Sequence, residues 1–241
     1  MGPAEGVDST CKPSAMTCAV FVIAGIVALT GCASGPAPAT HQGSSPPSTG
    51  SASPFTRTAS TARLAQALLP AQALSTGTLI RNSGTDLAGL STLCGDSLPA
   101  GGRLTAYETL QNGQTGQYLQ ESVIEWDNSG DAAGLISNDR ASIGQTGHCS
   151  ASSGGQTVES AGLEPGSAPR ECANGPYVAT KLSIRTASLS LSGYDASVQC
   201  GIYTISASLF GGTGSAVSRQ AAEGYLSSAA AKLQQTLVPP G

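Results

Sequence analysis

The sequence is poor in the residues on which many common functions depend. Only 11% of its residues are charged, 4% are aromatic and two are histidines. Eleven Lys and Arg stand against fifteen Asp and Glu, and no basic patch is visible along the chain. Nucleic-acid binding requires many basic groups to neutralise phosphates, so the sequence offers it no support. A positively charged membrane-binding face is unsupported for the same reason.

Signatures of catalysis and metal binding are also missing. His148 is the only histidine after residue 60, and it directly precedes Cys149. A catalytic triad requires a histidine beside its nucleophile, and structural zinc sites usually contain closely spaced Cys or His pairs. Neither a Cys-x-x-Cys pair nor a Gly-x-Ser-x-Gly elbow occurs. We therefore predict a non-enzymatic protein with no catalytic residue, no metal and no cofactor.

Two acidic residues are the remaining candidates for acid–base chemistry. Glu121 and Glu125 fall at alternating positions of a predicted strand, so their side chains share one face. Paired carboxylates are the machinery of glycoside hydrolysis. Strand residues with this spacing usually face water, however, and we expect both side chains on a solvated face.

No apolar run reaches the length of a membrane-spanning helix. The run at residues 19–29 is uncharged and only about half of the ~20 residues that span a bilayer, which is typical of the apolar region of a signal peptide. It leads into the sequence Leu-Thr-Gly-Cys at residues 29–32, which matches a bacterial lipobox. We predict a lipoprotein signal peptide over residues 1–31, with Cys32 as the lipidation site.

The beginning of the chain leaves two questions open. Lys12 is the only basic residue before the apolar run, and Glu5 and Asp8 oppose it. Translation from Met16 would remove Lys12, so Met1 and Met16 both remain possible starts. An ordinary signal peptide, or a membrane anchor with an incidental cysteine, is the alternative to the lipobox.

Composition divides the rest of the chain into two parts. Residues 32–60 are rich in Pro, Ser, Gly and Thr and contain almost no large apolar residue, which predicts a disordered tether beginning at the lipidated Cys32. Residues 61–241 have the mixed composition of one folded domain. Cleavage before Cys32 would leave ten basic and thirteen acidic residues, a net charge of −3.

The cysteines predict two disulfides in this domain. Two of the seven lie in the predicted signal peptide and one is Cys32, which leaves Cys94, Cys149, Cys172 and Cys200. An even number in an exported chain indicates disulfides. Three pairings are possible; we expect the pairs in sequence order, Cys94 with Cys149 and Cys172 with Cys200, because such loops close without a threaded topology.

Hydrophobic patterns predict a mixture of strands and helices. In the first half we expect a short helix capped by Ser60, a strand, a helix or turn of uncertain type, and two strands joined at Asn112-Gly113, over residues 61–69, 77–80, 87–94, 103–110 and 117–126. A helix then begins at Asn128 or Ser129 and ends at Gly147.

In the second half of the domain, the sequence predicts a polar run followed by a possible strand at 156–160, an irregular loop at 162–175, and a long hairpin. The hairpin comprises residues 177–191 and 196–210 around a turn at Ser192-Gly193-Tyr194-Asp195. Residues 216–237 predict a final amphipathic helix that lies on the sheet.

The order of lipobox, tether, entry helix with Leu68-Leu69-Pro70, cysteines, and a strand ending in Val123-Ile124-Glu125-Trp126 resembles a known family. It is similar to the extracellular sensor domain of mycobacterial PknH-type receptor kinases, over about residues 61–238. The resemblance implies an α+β fold: a mainly antiparallel sheet packed by two longer helices, with two disulfides and a cleft for an unidentified ligand. No kinase domain or membrane-spanning helix is expected after Cys32, so signalling through a kinase in the same chain is not expected.

Three residues are weak binding candidates. Trp126 ends a strand, where it can either pack in the core, which we favour, or line the rim of a cleft. Arg170 and Tyr177 flank Cys172 in the long loop, where exposure without a role is the simpler interpretation.

We predict an extracytoplasmic lipoprotein, anchored in the cell membrane by its lipid, that acts as a ligand-binding or sensor-like module. Its ligand would be a small molecule or an envelope component. The alternative is a structural or accessory envelope lipoprotein that binds a partner protein. A polar-lined concavity favours the first, and a flat apolar patch favours the second. The sequence leaves the ligand, the partner and the oligomeric state open.

Overall fold

The computed structural model describes residues 57, 60–75, 77–87, 93–94, 98–153, 156–188, 190–212 and 215–237. The predicted signal peptide, Cys32 and nearly all of the predicted tether lie outside these residues, as does most of the 87–94 segment. Within the described ranges, no helix is both long enough and apolar enough to cross a membrane.

Eight antiparallel strands form one sheet in the order β1-β2-β3-β8-β7-β6-β5-β4. The strands are β1 Thr78–Gly84, β2 Gly102–Asn112, β3 Tyr118–Trp126, β4 His148–Ser153, β5 Gln156–Leu163, β6 Tyr177–Arg185, β7 Ser190–Cys200 and β8 Tyr203–Gly211. The helices are α1 Thr61–Ala65, α2 Ser129–Thr146 and α3 Arg219–Leu237, with 3₁₀ turns at Ala71–Ala73 and Arg170–Cys172. The predicted α+β class, with an antiparallel sheet and two longer helices, is confirmed.

The helices cover both faces of the sheet. On one face, α1 and α3 pack with alternate strand residues into the largest core cluster, which includes Leu64, Leu119, Ile205 and Leu233. On the other face, α2 packs on two smaller clusters, one around Phe210 and one around Trp126. The protein is therefore a three-layer sandwich with the sheet in the middle.

Local capping explains where α2 begins and ends. The Asn128 side chain accepts a hydrogen bond from the Asp131 backbone N–H at 3.0 Å, and Asp131 lies in the first turn, where its charge suits the helix dipole. Gly147 ends the helix with φ 73°, a left-handed conformation that glycine adopts without steric cost. Both predicted ends are confirmed.

The first helix is shorter than predicted. Ser60 caps α1 by accepting from the Arg63 N–H at 3.3 Å, but the helix ends at Ala65 rather than at Leu69. Leu68 and Leu69 are buried nevertheless, because the chain continues in turns across the sheet before Pro70. The apolar pattern in this region thus reports burial beyond the helix itself.

The β2–β3 hairpin is confirmed, but its turn differs from a two-residue Asn-Gly turn. The Asn112 side-chain oxygen accepts from the backbone N–H groups of Gln114 at 2.9 Å and Thr115 at 2.8 Å. The glycine with positive φ is Gly116, at 68°, and not Gly113. Asn112 therefore organises a longer loop through its side chain.

The predicted hairpin over 177–210 is wrong, because this stretch forms three strands. The Ser192–Asp195 segment lies inside β7, and the β7–β8 turn falls at Gly201, whose φ is 64°. A Cβ at Gly193 would lie 2.1 Å from the Leu209 carbonyl oxygen, so this glycine permits close strand contact rather than a turn.

A strand also occupies the polar run that carried no predicted element. β4 pairs with β5 at the edge of the sheet, and three of its six residues are serine. β5 continues to Leu163, beyond the predicted end at Ser160. Periodicity could not reveal β4, because serine marks neither an apolar nor a charged face.

The predicted disulfide pairing is confirmed. Cys94 is bonded to Cys149 at the start of β4, which ties the segment before β2 to the far edge of the sheet. Cys172 is bonded to Cys200 at the end of β7, and this bridge lies in the largest core cluster beside α3.

Candidate functional site

A pocket of about 110 Å³ opens beside the first residues of β6. Its wall includes a helix residue from α2, the chain that leaves β5, and three successive β6 residues. The lining residues are Arg140, Leu163, Glu164, Pro165, Gly166, Tyr177, Val178 and Ala179. The pocket is therefore built from three separate segments of the chain.

Hydrogen bonds to backbone carbonyls of β6 fix the walls of this pocket. The Glu164 N–H donates to the Ala179 carbonyl at 2.8 Å, which holds the chain after β5 against β6. The Arg140 guanidinium donates to the Tyr177 carbonyl at 3.5 Å, which brings α2 to the same place. Gly166 crosses tightly over Tyr177, since a Cβ there would lie 2.4 Å from the Tyr177 hydroxyl oxygen.

Two side chains of opposite charge line this pocket. Arg140 is exposed and Glu164 is half-buried. Among the ion pairs of the described residues, neither Arg140 nor Glu164 takes part. The pocket thus presents one cationic and one anionic group that form no ion pair in the described part of the chain.

Tyr177 connects the pocket to α3. Its hydroxyl donates to Glu223 at 2.7 Å, and Glu223 forms an ion pair with Arg219 at 3.1 Å. Burial raises the pKa of Tyr177, and the hydrogen bond to Glu223 raises it further. The phenol therefore stays neutral and serves as a hydrogen-bond donor rather than a base.

The three predicted binding residues have different environments. Tyr177 lines the pocket, whereas the Arg170 side chain is 94% exposed and lies 3.6 Å from Glu171. Trp126 is fully buried and donates from Nε1 to the Thr204 hydroxyl at 3.0 Å, so its interpretation as a core residue is confirmed. Sequence reasoning missed Arg140 and Glu164, because no sequence pattern indicates that a residue of α2 lies beside the loop that follows β5.

The expectation that Glu121 and Glu125 face water is wrong. They do share one face of β3, but both are fully buried. Glu125 accepts hydrogen bonds from Arg103 at 2.8 Å and Tyr203 at 3.0 Å. Four residues of extended strand separate them by roughly 13 Å, too far for paired acid–base work.

Glu121 instead lies directly opposite Glu108 on β2. Its Oε2 accepts from the Leu69 backbone N–H at 2.9 Å, and the Oε1 atoms of both glutamates are buried without a hydrogen-bond partner in the described part of the chain. Burial raises the pKa of Glu108 to about 7. Burial also raises the pKa of Glu121 to about 8; the Leu69 N–H opposes this and the Glu108 charge adds to it.

Another buried acid, Asp195, lies on the opposite face of the sheet from Glu121. Asp195 accepts from the Ser208 hydroxyl at 2.7 Å and the Ser197 hydroxyl at 2.8 Å. Burial raises its pKa to about 6, although both hydroxyls act in the other direction. Asp195 is part of a cross-strand row of polar residues: Thr180, Asp195, Ser208, Gln120, Thr109 and Asn82.

The described residues contain no cluster of three or more metal-ligating side chains. Glu121 is fully buried under the chain around Leu69, so a substrate cannot reach it in this structure. Of the arrangements above, the pocket beside β6 is the one that offers charged groups to a small molecule.

The fold is similar to that of a solved extracellular domain. No protein-family model matches the chain, and no curated protein matches it. Among solved structures, the extracellular domain of PknH from Mycobacterium tuberculosis superposes with a TM-score of 0.53 at 11% identity, covering 74% of this chain and 98% of that domain. The chain has a PknH-like fold.

A second structural match, the Rv0999 ortholog from Mycobacterium smegmatis, has 13% identity and covers 69% of this chain and 84% of that one. Its TM-score of 0.37 adds nothing about the fold. The PknH-like fold extends over nearly the whole of the PknH extracellular domain and includes the α+β arrangement that the sequence resemblance implied. At this identity the comparison concerns the fold alone.

Proposed function

We propose that this protein is an extracytoplasmic, lipid-anchored module that binds a small ligand in the pocket beside β6 and acts in a sensor-like role. The observation that carries the proposal is the pocket itself, in which Arg140 and Glu164 present opposite charges and form no ion pair within the described residues. Polar groups that converge on a concave surface are typical of binding sites.

Three further observations support the extracytoplasmic part. The fold is that of a domain described as extracellular in PknH. Two disulfides, Cys94–Cys149 and Cys172–Cys200, are typical of proteins in oxidising compartments. The lipobox sequence at residues 29–32 supplies a cysteine for lipidation ahead of the domain.

A second candidate function rests on the edge strand β1. Leu79 and Ile80 are 57% and 54% exposed there, and one side of β1 has no neighbouring strand in the described sheet. Exposed apolar edges recruit extended segments of partner proteins. This observation supports an accessory lipoprotein that binds a partner protein through β1.

Titration of the ¹⁵N-labelled full-length protein in detergent tests the binding proposal. Sodium acetate, inorganic phosphate, methylammonium chloride, glucose and alanine serve as separate probes. We expect at least one to shift the amide signals of Gly166 and Ala179 saturably, and Arg140→Ala to weaken that binding. If no probe shifts these amides, the pocket is not a binding site for small ligands and the β1 candidate becomes the better account.

A further inference from the structure

We propose that the pocket beside β6 binds the zwitterionic end of an amino acid or short peptide with a small apolar side chain. This inference rests on the proposed function and names its ligand class. The ligand carboxylate would contact Arg140, its ammonium group would contact Glu164, and its side chain would lie against Leu163.

The charges favour a ligand that carries both signs. A guanidinium pairs with a carboxylate through two parallel hydrogen bonds, and a carboxylate accepts from an ammonium group. Arg140 and Glu164 line the same small pocket, yet among the described residues no ion pair joins them. A purely anionic ligand would leave Glu164 facing like charge, and a purely cationic ligand would do the same to Arg140.

Hydrogen bonds to β6 carbonyls hold the Arg140 side chain and the backbone of Glu164. The Tyr177 carbonyl accepts from Arg140, and the Ala179 carbonyl accepts from the Glu164 N–H. The nearby Glu223 already binds the Tyr177 hydroxyl and Arg219, so its charge is engaged on the α3 side. Ordering of both walls before binding lowers the entropy cost of capturing a ligand.

Size and apolar surface restrict the ligand further. Drug-sized ligands occupy pockets of roughly 300–1,000 Å³, whereas this pocket measures about 110 Å³. It therefore suits a molecule with only a few heavy atoms. Leu163 is 41% exposed, one of three large apolar side chains so exposed in the described residues, and with Pro165 it gives this pocket an apolar side.

Three single substitutions test the assignment in the full-length protein in detergent. Arg140→Gln and Glu164→Gln each remove one charge at nearly constant size. Lys181→Gln is the control, because Lys181 is exposed on the same strand but does not line the pocket. Alanine, acetate and methylammonium are titrated into each protein, and dissociation constants are read from the Gly166 and Ala179 amide shifts.

We expect alanine to bind more tightly than acetate or methylammonium. Each pocket substitution should raise the alanine dissociation constant by roughly tenfold to a hundredfold, the effect of losing one charged hydrogen-bonding partner. Lys181→Gln should leave it unchanged, and unaltered amide spectra away from the pocket would show that the variants fold.

Two results would overturn the inference. Equal binding of acetate and alanine, lost only in Arg140→Gln, would identify an anion site and leave the binding function intact. Absence of alanine binding would also reject the zwitterion. The binding function itself fails only if phosphate, glucose, acetate and methylammonium leave the same amides unshifted as well.

Discussion

Glu121→Gln should stabilise the protein relative to the wild type by roughly 3–4 kcal/mol more at pH 8 than at pH 4.5, measured as the free energy of unfolding. This is the largest change we expect from a single substitution. The wild-type carboxyl is buried opposite Glu108, and burial raises its pKa to about 8. Gln is close in size, does not titrate, and keeps an oxygen to accept the Leu69 N–H.

The direction follows from proton linkage. In the folded protein Glu121 holds its proton up to about pH 8, whereas in the unfolded chain it ionises near the ordinary glutamate pKa of 4.5. The stabilisation from this group is fully present below pH 4.5 and is lost as the pH rises through about 8. The Glu121→Gln variant has no such loss, so the two proteins diverge as the pH increases.

Urea unfolding with the disulfides intact, measured between pH 4.5 and 8, checks this prediction. Glu159→Gln is the control, because the Glu159 side chain is 40% exposed and its ion pair with Arg185 at 3.6 Å is weak. We expect it to change stability by at most about 1 kcal/mol at any of these pH values. Glu108 and Asp195 remain in both variants, so part of the dependence of the free energy of unfolding on pH should persist in each. If this free energy depended on pH in Glu121→Gln as steeply as in the wild type, a buried, protonated Glu121 would be contradicted.

Removal of the Cys172–Cys200 disulfide should destabilise the protein more than removal of Cys94–Cys149. Loop-closure entropy alone favours the opposite order by only about 0.6 kcal/mol, because the closed loops differ about twofold in length. The residue separations are 28 for Cys172–Cys200 and 55 for Cys94–Cys149. Cys172 and Cys200 are buried in the largest core cluster. Cys94 and Cys149 are half-buried and pack against the smaller cluster around Phe210.

Double alanine variants of each pair provide the measurement. We expect the Cys172→Ala/Cys200→Ala protein to lose about 4–6 kcal/mol, from roughly 3–4 for the loop and the rest from lost packing. The Cys94→Ala/Cys149→Ala protein should lose about 4 kcal/mol. A larger loss for Cys94→Ala/Cys149→Ala in urea unfolding would show that loop length outweighs core burial here.

Much of the fold was accessible from the sequence because strong local signals agreed with the final packing. Asn128 begins α2 through a side-chain hydrogen bond and Gly147 ends it through its backbone conformation, and both effects are local. Cysteine order predicted both disulfides. Periodicity failed in the serine-rich strand β4 and at Gly193, where glycine meets a neighbouring strand that sequence position cannot reveal.

The candidate site was harder to predict from the sequence than the fold, because its chemistry depends on long-range contacts. The position of Tyr177 near Cys172 marks it as a candidate in the sequence, but Arg140 joins it only through the packing of α2 on β6. Alternation correctly placed Glu121 and Glu125 on one face, but it could not show that α1 and α3 cover that face. The polar character of a residue was therefore a poor guide to its exposure in this domain.

Intact mass of the protein from membrane fractions, with and without reduction and alkylation, tests the central claim most directly. We expect loss of residues 1–31, added acyl chains at Cys32, and Cys94, Cys149, Cys172 and Cys200 alkylated only after reduction. A retained N-terminus would contradict the lipid anchor. Free thiols at those four cysteines before reduction would contradict the disulfide-linked extracytoplasmic domain.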